Sequence, residues 1–164
     1  MITPTHIVLV GLGREGLSSY HFFAKQYPDA SWILTDDRQL DALEEHWQQI
    51  VANGAQYVPL AGLADWSANS ANNSALLLVK TAGIPLENAG VRACLERGAT
   101  LTSNTAAFFA TLPTLPVKPR TIGITGTKGK STTSSMIYHC LRENGVPVVL
   151  AGNIGVPPLN ALED

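Results

Sequence analysis

Short apolar runs alternating with amphipathic helical stretches limit the folds open to this chain more than any other feature. The runs at residues 7–10, 32–35, 57–60, 75–79 and 99–102 are too short for helices and read as five strands buried in a sheet. Between the first two, Leu17, Tyr20, Phe23, Ala24 and Tyr27 share one helical face. Between the next two, Leu40, Leu43, Trp47, Ile50 and Val51 do the same, and Asn53-Gly54 stops that helix. A third helix is expected through Val91, Cys94 and Leu95 to Gly98. Strand and helix in strict alternation give parallel βαβ winding, so the expectation is an α/β fold: a five-stranded parallel sheet with helices on both faces. The polar, Asn/Ser-rich stretch 61–73 reads as a surface loop with a turn of helix at most.

The alternation breaks at residues 111–119, where Pro113, Pro116 and Pro119 forbid a helix and favour an extended connection. The expected organisation is a domain over 1–111, a linker over 112–120 and the start of a second α/β domain over 121–164. That second part should hold a strand at 121–125, a glycine loop, a helix through Met136, Ile137, Cys140 and Leu141, a stop at Asn144-Gly145 and a strand at 148–151. Two strands and a helix are too little to bury both faces of a parallel sheet, so the chain is expected to be a piece of a longer protein.

Composition narrows the functional classes. A hydrophobic fraction of 45% with 15% charged residues is that of a globular protein and excludes disorder. Eleven Lys and Arg against thirteen Asp and Glu form no basic stripe, so nucleic acid is not an expected partner. The start of the chain has no basic n-region and its first apolar run stops at Gly11, short of a signal segment or membrane span, so a cytosolic protein without a membrane partner is expected. Cys94 and Cys140 lie in helical apolar patterns and read as reduced core thiols, while His6, His21, His46 and His139 lack the spacing of a zinc site and read as residues of helix faces.

Two glycine loops carry the chemistry. Gly11-Leu12-Gly13-Arg14-Glu15-Gly16 lies between a strand and a helix, with Asp36 and Asp37 at the next strand end, about 20 residues on. Glycines allow a pyrophosphate to approach the backbone, the helix N-terminus meets its charge, and a carboxylate can accept hydrogen bonds from ribose or base. The pattern alone does not name the nucleotide, and NAD is its default ligand. The second loop holds Gly126, Thr127, Lys128, Gly129, Lys130, Ser131 and Thr132, with the Gly-Lys-Ser core of a P-loop between strand and helix. Its backbone N–H groups can wrap the phosphates of ATP, Lys130 can reach the β and γ oxygens, and the Ser131 hydroxyl can ligate magnesium. The loop departs from the general P-loop because Ile124 stands five residues before Gly129 and the loop glycine is Gly126.

That departure, Gly-Thr-x-Gly-Lys-Ser-Thr over 126–132, resembles the ATP loop of the Mur ligase and folylpolyglutamate synthase superfamily. With the Gly-Leu-Gly form at 11–13 and the Ala-Gly-Asn-Ile-Gly run at 151–155, the chain is similar to the branch of Mur ligases that adds D-glutamate. The resemblance implies a Rossmann-like first domain that binds the UDP end of UDP-N-acetylmuramoyl-L-alanine instead of NAD. It implies Gly13, Arg14, Glu15 and Gly16 beside the diphosphate and Asp36, Asp37 and Arg38 near uracil and ribose. Thr81, Ala82 and Gly83 replace the family's Ser-Pro-Gly beside the uridine, Arg14-Glu15 replaces a commoner apolar-Thr pair, and Lys128 replaces the usual Asn. A carboxylate at Glu15 would repel a diphosphate, so its side chain is expected to face solvent.

In the second domain the resemblance gives Lys130 and Ser131 catalytic and ATP and Mg2+ roles, and Gly152 and Asn153 contact with the muramoyl-alanine arm. The implied reaction phosphorylates the alanine carboxylate, and the amine of D-glutamate attacks the acyl phosphate. The family's further magnesium ligand, carbamoylated lysine and amino-acid-binding domain would lie beyond Asp164, so this chain is expected to bind without catalysis, as a monomer. An NAD-dependent oxidoreductase and a nucleotide-sensing module without chemistry are the alternatives.

Overall fold

The structure, a computed structural model, describes residues 3–69 and 75–162. The chain divides into two compact units, Met1–Asn104 and Thr105–Asp164.

Unit 1 is built on β1 (His6–Val10), α1 (Arg14–Gln26), β2 (Ser31–Thr35), α2 (Glu45–Ala52), β3 (Gln56–Tyr57), α3 (Leu63–Asn69), β4 (Leu76–Lys80), α4 (Ala89–Glu96) and β5 (Thr100–Thr102). The strands form one parallel sheet in the order β3-β2-β1-β4-β5. Val8 pairs with Ile33 and Leu78, Leu9 with Leu34 and Val79, so the two sets project to opposite faces, and all six are buried. The first set packs with Leu63 of α3 and with Val91 and Cys94 of α4. Tyr20 of α1 lies 4.6 Å from the Trp32 ring, and Trp47 of α2 is 1% exposed. Helices flank the sheet as expected.

Unit 1 differs from the sequence reading in three places. The stretch 61–73 is not a loop through its described part, because Leu60–Gly62 makes a 3-10 turn and α3 follows. Leu63 is fully buried, and the absent side chain of Gly90 lets α4 approach it: a Cβ there would lie 2.6 Å from Leu63 Cβ. Residues 70–73 fall outside the described residues. The helix after β2 starts only at Glu45, with a separate 3-10 turn over Leu40–Ala42. β3 has only two residues, although the Val58 and Leu60 N–H groups beyond it still donate to the Leu34 and Asp36 carbonyls at 2.9 Å.

Unit 2 takes up most of α5 (Asn104–Thr111), followed by a 3-10 turn over Leu112–Thr114 and α6 (Lys130–Glu143). α6 matches the expected helix, and Gly145 after it has a φ of +73°. The strands expected at 121–125 and 148–151 do not form: residues 121–126 belong to no ladder, and Ala151 makes a single isolated bridge to Val156. A strand exists through its neighbours, and among the described residues neither segment has a ladder partner. The helix over them is correspondingly bare, with Met136 63% exposed and Cys140 exposed, so Cys140 is not the core thiol its apolar spacing predicts, whereas Cys94 is. His6 stands on a strand, not a helix face. No helix among the described residues is long and apolar enough to cross a membrane.

Candidate functional site

The strand order reverses between β1 and β4, and the loops leaving both open at the carboxyl edge of the sheet, the place where α/β sheets take their ligands. Three loops meet there: residues 11–13 after β1, 36–38 after β2 and 81–83 after β4. The sequence-predicted residues of unit 1 are therefore brought to one edge.

Gly11 makes the turn out of β1 with a φ of +95°, and a Cβ on it would lie 2.0 Å from Thr81 Oγ1. Gly16 lets the first turn of α1 close against the loop, since its Cβ would meet the Gly11 carbonyl oxygen at 2.2 Å. Both positions require glycine, one for conformation and approach and the other for approach alone. Gly13 differs, because an added Cβ there would meet nothing within 4 Å. It caps α1 without a side-chain hydrogen bond, which leaves the Glu15 and Gly16 N–H groups of the first turn for an outside acceptor.

Leu12, fully buried between these glycines, is the anchor of the loop. Its N–H donates to Asp36 Oδ2 at 2.6 Å, and its carbonyl accepts from Trp47 Nε1 at 2.7 Å and Arg38 Nη2 at 3.3 Å. Asp36 Oδ1 accepts from the Arg38 N–H at 3.1 Å and from Arg38 Nε at 2.9 Å. Burial pushes the Asp36 carboxyl up, but the Arg38 guanidinium and the two N–H groups outweigh it and hold the pKa down at about 2. The same hydrogen bond to Asp36 raises the Arg38 pKa, aided by Glu44, whose oxygens lie 3.3 and 3.5 Å from Arg38 Nη1. Tyr57 donates its hydroxyl to the Arg38 carbonyl, and burial raises the Tyr57 pKa. Asp36 and Arg38 thus brace the glycine loop from below, while Asp37 beside them is exposed.

On the β4 side, Thr81 donates through Oγ1 to the Val10 carbonyl at 3.1 Å, and Lys80 Nζ ties down the carbonyls of Thr81 and Ile84 at 2.9 and 2.6 Å. Ala82 and Gly83 are exposed. The Glu15 side chain does not simply face solvent: Oε2 accepts from the Ala82 N–H at 3.3 Å, bridging α1 to the β4 loop. Arg14 is exposed at the head of α1. Asn104, 1% exposed and unnoticed in the sequence, donates through Nδ2 to the Glu15 carbonyl at 3.3 Å and to Ser18 and Ser19 Oγ at 3.1 Å, fixing the first turn of α1. Trp47 was legible as a helix-face residue, but nothing in its spacing revealed that its indole holds Leu12.

In unit 2 the loop 126–129 leads into α6 through Gly129, at a φ of +77° and without a side-chain cap. Gly126, Thr127, Lys128, Gly129, Lys130, Ser131 and Thr132 are all exposed, and Lys130 Nζ folds back to donate to the Gly126 carbonyl. Gly152 and Asn153 sit exposed in a tight loop closed by Gly152 N–H to the Val156 carbonyl at 2.9 Å and Val156 N–H to the Leu150 carbonyl at 3.0 Å.

Residues 124–163, which contain this loop and α6, match the Mur ligase middle domain. Over 163 residues the chain is 31% identical to a UDP-N-acetylmuramoylalanine--D-glutamate ligase of Saccharophagus degradans, covering 99% of this chain and 34% of that protein. It is 33% identical to the enzyme of the same name from Rickettsia prowazekii, over 94% of this chain and 31% of the relative. A UDP-N-acetylmuramoyl-L-alanine--L-glutamate ligase of a Micromonospora species is 34% identical, again over 94% of this chain and 31% of its own length. The chain spans about a third of the length of the relatives it matches. With the middle-domain match over 124–163 and a likeness running nearly end to end, this chain is similar to the Mur ligases over the part of their length that it spans.

Proposed function

We propose that the chain is the nucleotide-holding part of an ATP-dependent ligase that joins glutamate to UDP-N-acetylmuramoyl-L-alanine, unit 1 taking the UDP end and unit 2 the ATP. The observation that carries this is the meeting of three loops around the uncapped start of α1 at the sheet's switch point. A diphosphate there accepts hydrogen bonds from first-turn N–H groups over Gly13, where the backbone is open. Asp37, Ala82 and Gly83 are the exposed groups nearest in the chain to the braced loop and contact the uridine. Asp36 and Arg38 shape that contact mainly by holding Leu12, a smaller direct role than their spacing suggests.

Unit 2 suits a triphosphate by its chemistry: an uncapped α6, a lysine at its first position and a hydroxyl at the second. Lys130 leaves the Gly126 carbonyl to meet the β and γ oxygens, and Ser131 is the magnesium ligand on this chain. Magnesium, when bound, would neutralise charge on the transferred phosphoryl group. Thr127, Lys128 and Thr132 line the phosphates through their backbone, and Gly152 and Asn153 receive the muramoyl-alanine arm. The domain limits of 1–111 and 121–164, the cytosol and a monomer belong to the same reading.

Titration calorimetry of the chain with UDP-N-acetylmuramoyl-L-alanine, NAD and ATP tests it. Tighter binding of NAD than of the UDP compound defeats the reading of unit 1. Lys130→Ala should weaken ATP about tenfold or more, the loss of a charge-assisted contact, and unchanged affinity defeats the reading of unit 2. Addition of L-glutamate in place of D-glutamate is a second reading, supported by the relatives from Micromonospora and Salinispora tropica that carry that name. Phosphate release by the intact protein with each enantiomer decides between them.

A further inference from the structure

Glu15 occupies an unexpected position for the second residue of an anion-binding helix. Its carboxylate turns away from its own helix and crosses to the loop after β4, where Oε2 accepts from the Ala82 N–H at 3.3 Å. The bridge spans the switch point, the opening through which a ligand must reach the start of α1. Its backbone is fixed: the Glu15 carbonyl accepts from Ser19 Oγ at 2.9 Å and from Asn104 Nδ2 at 3.3 Å. Only the side chain is free to leave. The bond is single, exposed and longer than the common range for an N–H donor. On either side the walls are open, since a Cβ on Gly13 or on Gly83 would meet nothing within 4 Å.

We propose that Glu15 is a carboxylate latch across this opening, a built-in anion that holds the Ala82 N–H in the free protein and opposes a diphosphate until it swings aside. The proposal rests on the reading of unit 1 as a diphosphate site. A carboxylate stabilised near the positive end of α1 and satisfied by Ala82 competes with an incoming ligand twice. It covers the opening, and its charge repels the ligand's charge at short range. A ligand that carries the uridine without phosphate meets the first effect alone. The latch therefore makes affinity for the diphosphate lower than the glycine loop by itself would set it, and it favours release of a bound diphosphate compound.

Glu15→Gln and Glu15→Ala separate charge from contact, because glutamine keeps an acceptor oxygen for Ala82. Two measurements on the whole chain test the latch: exchange of the Ala82 amide proton by NMR in the free protein, and calorimetric affinity for UDP and for uridine. In Glu15→Ala the Ala82 amide should exchange several-fold faster, as expected when a hydrogen bond to a charged group is lost. UDP should bind about tenfold tighter to Glu15→Ala and nearly as much tighter to Glu15→Gln, while uridine changes by less than about threefold. Unchanged Ala82 exchange, UDP affinity no better in either variant, or an equal gain for uridine each overturns the proposal. If UDP binds none of the three proteins, the diphosphate reading of unit 1 falls, and the Ala82 exchange still decides whether the latch contact exists.

Discussion

The two glycine loops share one grammar, a turn of glycines that opens a helix, yet they are held in opposite ways. The loop of unit 1 hangs from a buried leucine whose N–H and carbonyl are both taken by side chains from the next strand end and helix, Asp36, Arg38 and Trp47. Thr81 presses on Gly11 from the β4 side and Asn104 holds the first turn of α1. The loop of unit 2 is exposed from Gly126 to Thr132, and Lys130 bends back to donate to the Gly126 carbonyl. A loop braced from three sides holds its ligand geometry before the ligand arrives. The other is set by local backbone conformation, so the ligand itself must organise it. Substitutions of the same kind should therefore cost much in the first loop and little in the second.

The widest gap is expected between Gly11→Ala and Gly129→Ala. At Gly11 the new Cβ falls 2.0 Å from Thr81 Oγ1 at a φ of +95°, so overpacking adds to backbone strain and the loss should be about 3 kcal/mol. Urea unfolding followed by Trp fluorescence reads it, since all three tryptophans lie in unit 1. A loss under about 1 kcal/mol would mean that Thr81 yields and the brace is soft.

Asp36→Ala comes next, leaving the buried Leu12 N–H without its acceptor at a cost of about 2 kcal/mol. The carboxyl adds a pH signature. Its folded pKa, about 2, lies below the ordinary 3.8, so the stability it contributes is complete above about pH 4–5 and drains away as the pH falls toward 2. Asp36→Asn, which keeps an acceptor but cannot ionise, should flatten that acid limb in unfolding curves collected from pH 6 to 2.

Much of this contrast could not be read from residue order. The strands of unit 1 were legible from their short apolar runs, most clearly β1, β2 and β4, which bury apolar residues on both faces, and the glycine loop because strand, glycines and acid recur at a recognisable spacing. What spacing does not carry is direction: Asp36 stands at the expected strand end but turns inward, held by the Leu12 N–H from the loop after β1 and by Arg38 two residues on. α3 was hidden because it is only seven residues long and runs into an Asn/Ser-rich stretch, and its burial depends on Gly90 admitting Leu63. α5 was hidden because Asn-Thr-Ala-Ala-Phe-Phe-Ala-Thr has apolar residues all round and so no face to recognise. The segments 121–125 and 148–151 show the converse. Their apolar pattern is that of a strand, and without a ladder partner among the described residues the pattern has nothing to pair with.

Gly129→Ala, the smaller member of the first pair, should cost about 1 kcal/mol, the expense of a left-handed alanine, because its Cβ meets nothing within 4 Å. Hydrogen exchange of α6 amides gives the value separately from unit 1. A cost equal to that of Gly11→Ala would erase the difference between the loops.

The smallest effect on stability belongs to Gly13→Ala, and it sharpens the comparison within unit 1 itself. Gly13 lies two residues after the strained Gly11, yet its φ of −89° suits any residue and its Cβ would point into open space. Alanine there should shift unfolding by less than about 0.5 kcal/mol, in the range of a surface change. Its openness is also what a ligand needs: the methyl would stand over the start of α1, where a diphosphate has to approach the backbone within hydrogen-bond distance. Binding of UDP should therefore fall about tenfold or more while the fold stays as it was, since a displaced phosphate loses charge-assisted hydrogen bonds of about 1.5–3 kcal/mol. Calorimetry and urea unfolding on the same sample separate the two quantities. Intact UDP affinity would move the ligand away from Gly13, and a large stability loss would show the braced loop reaching further along the chain than Leu12.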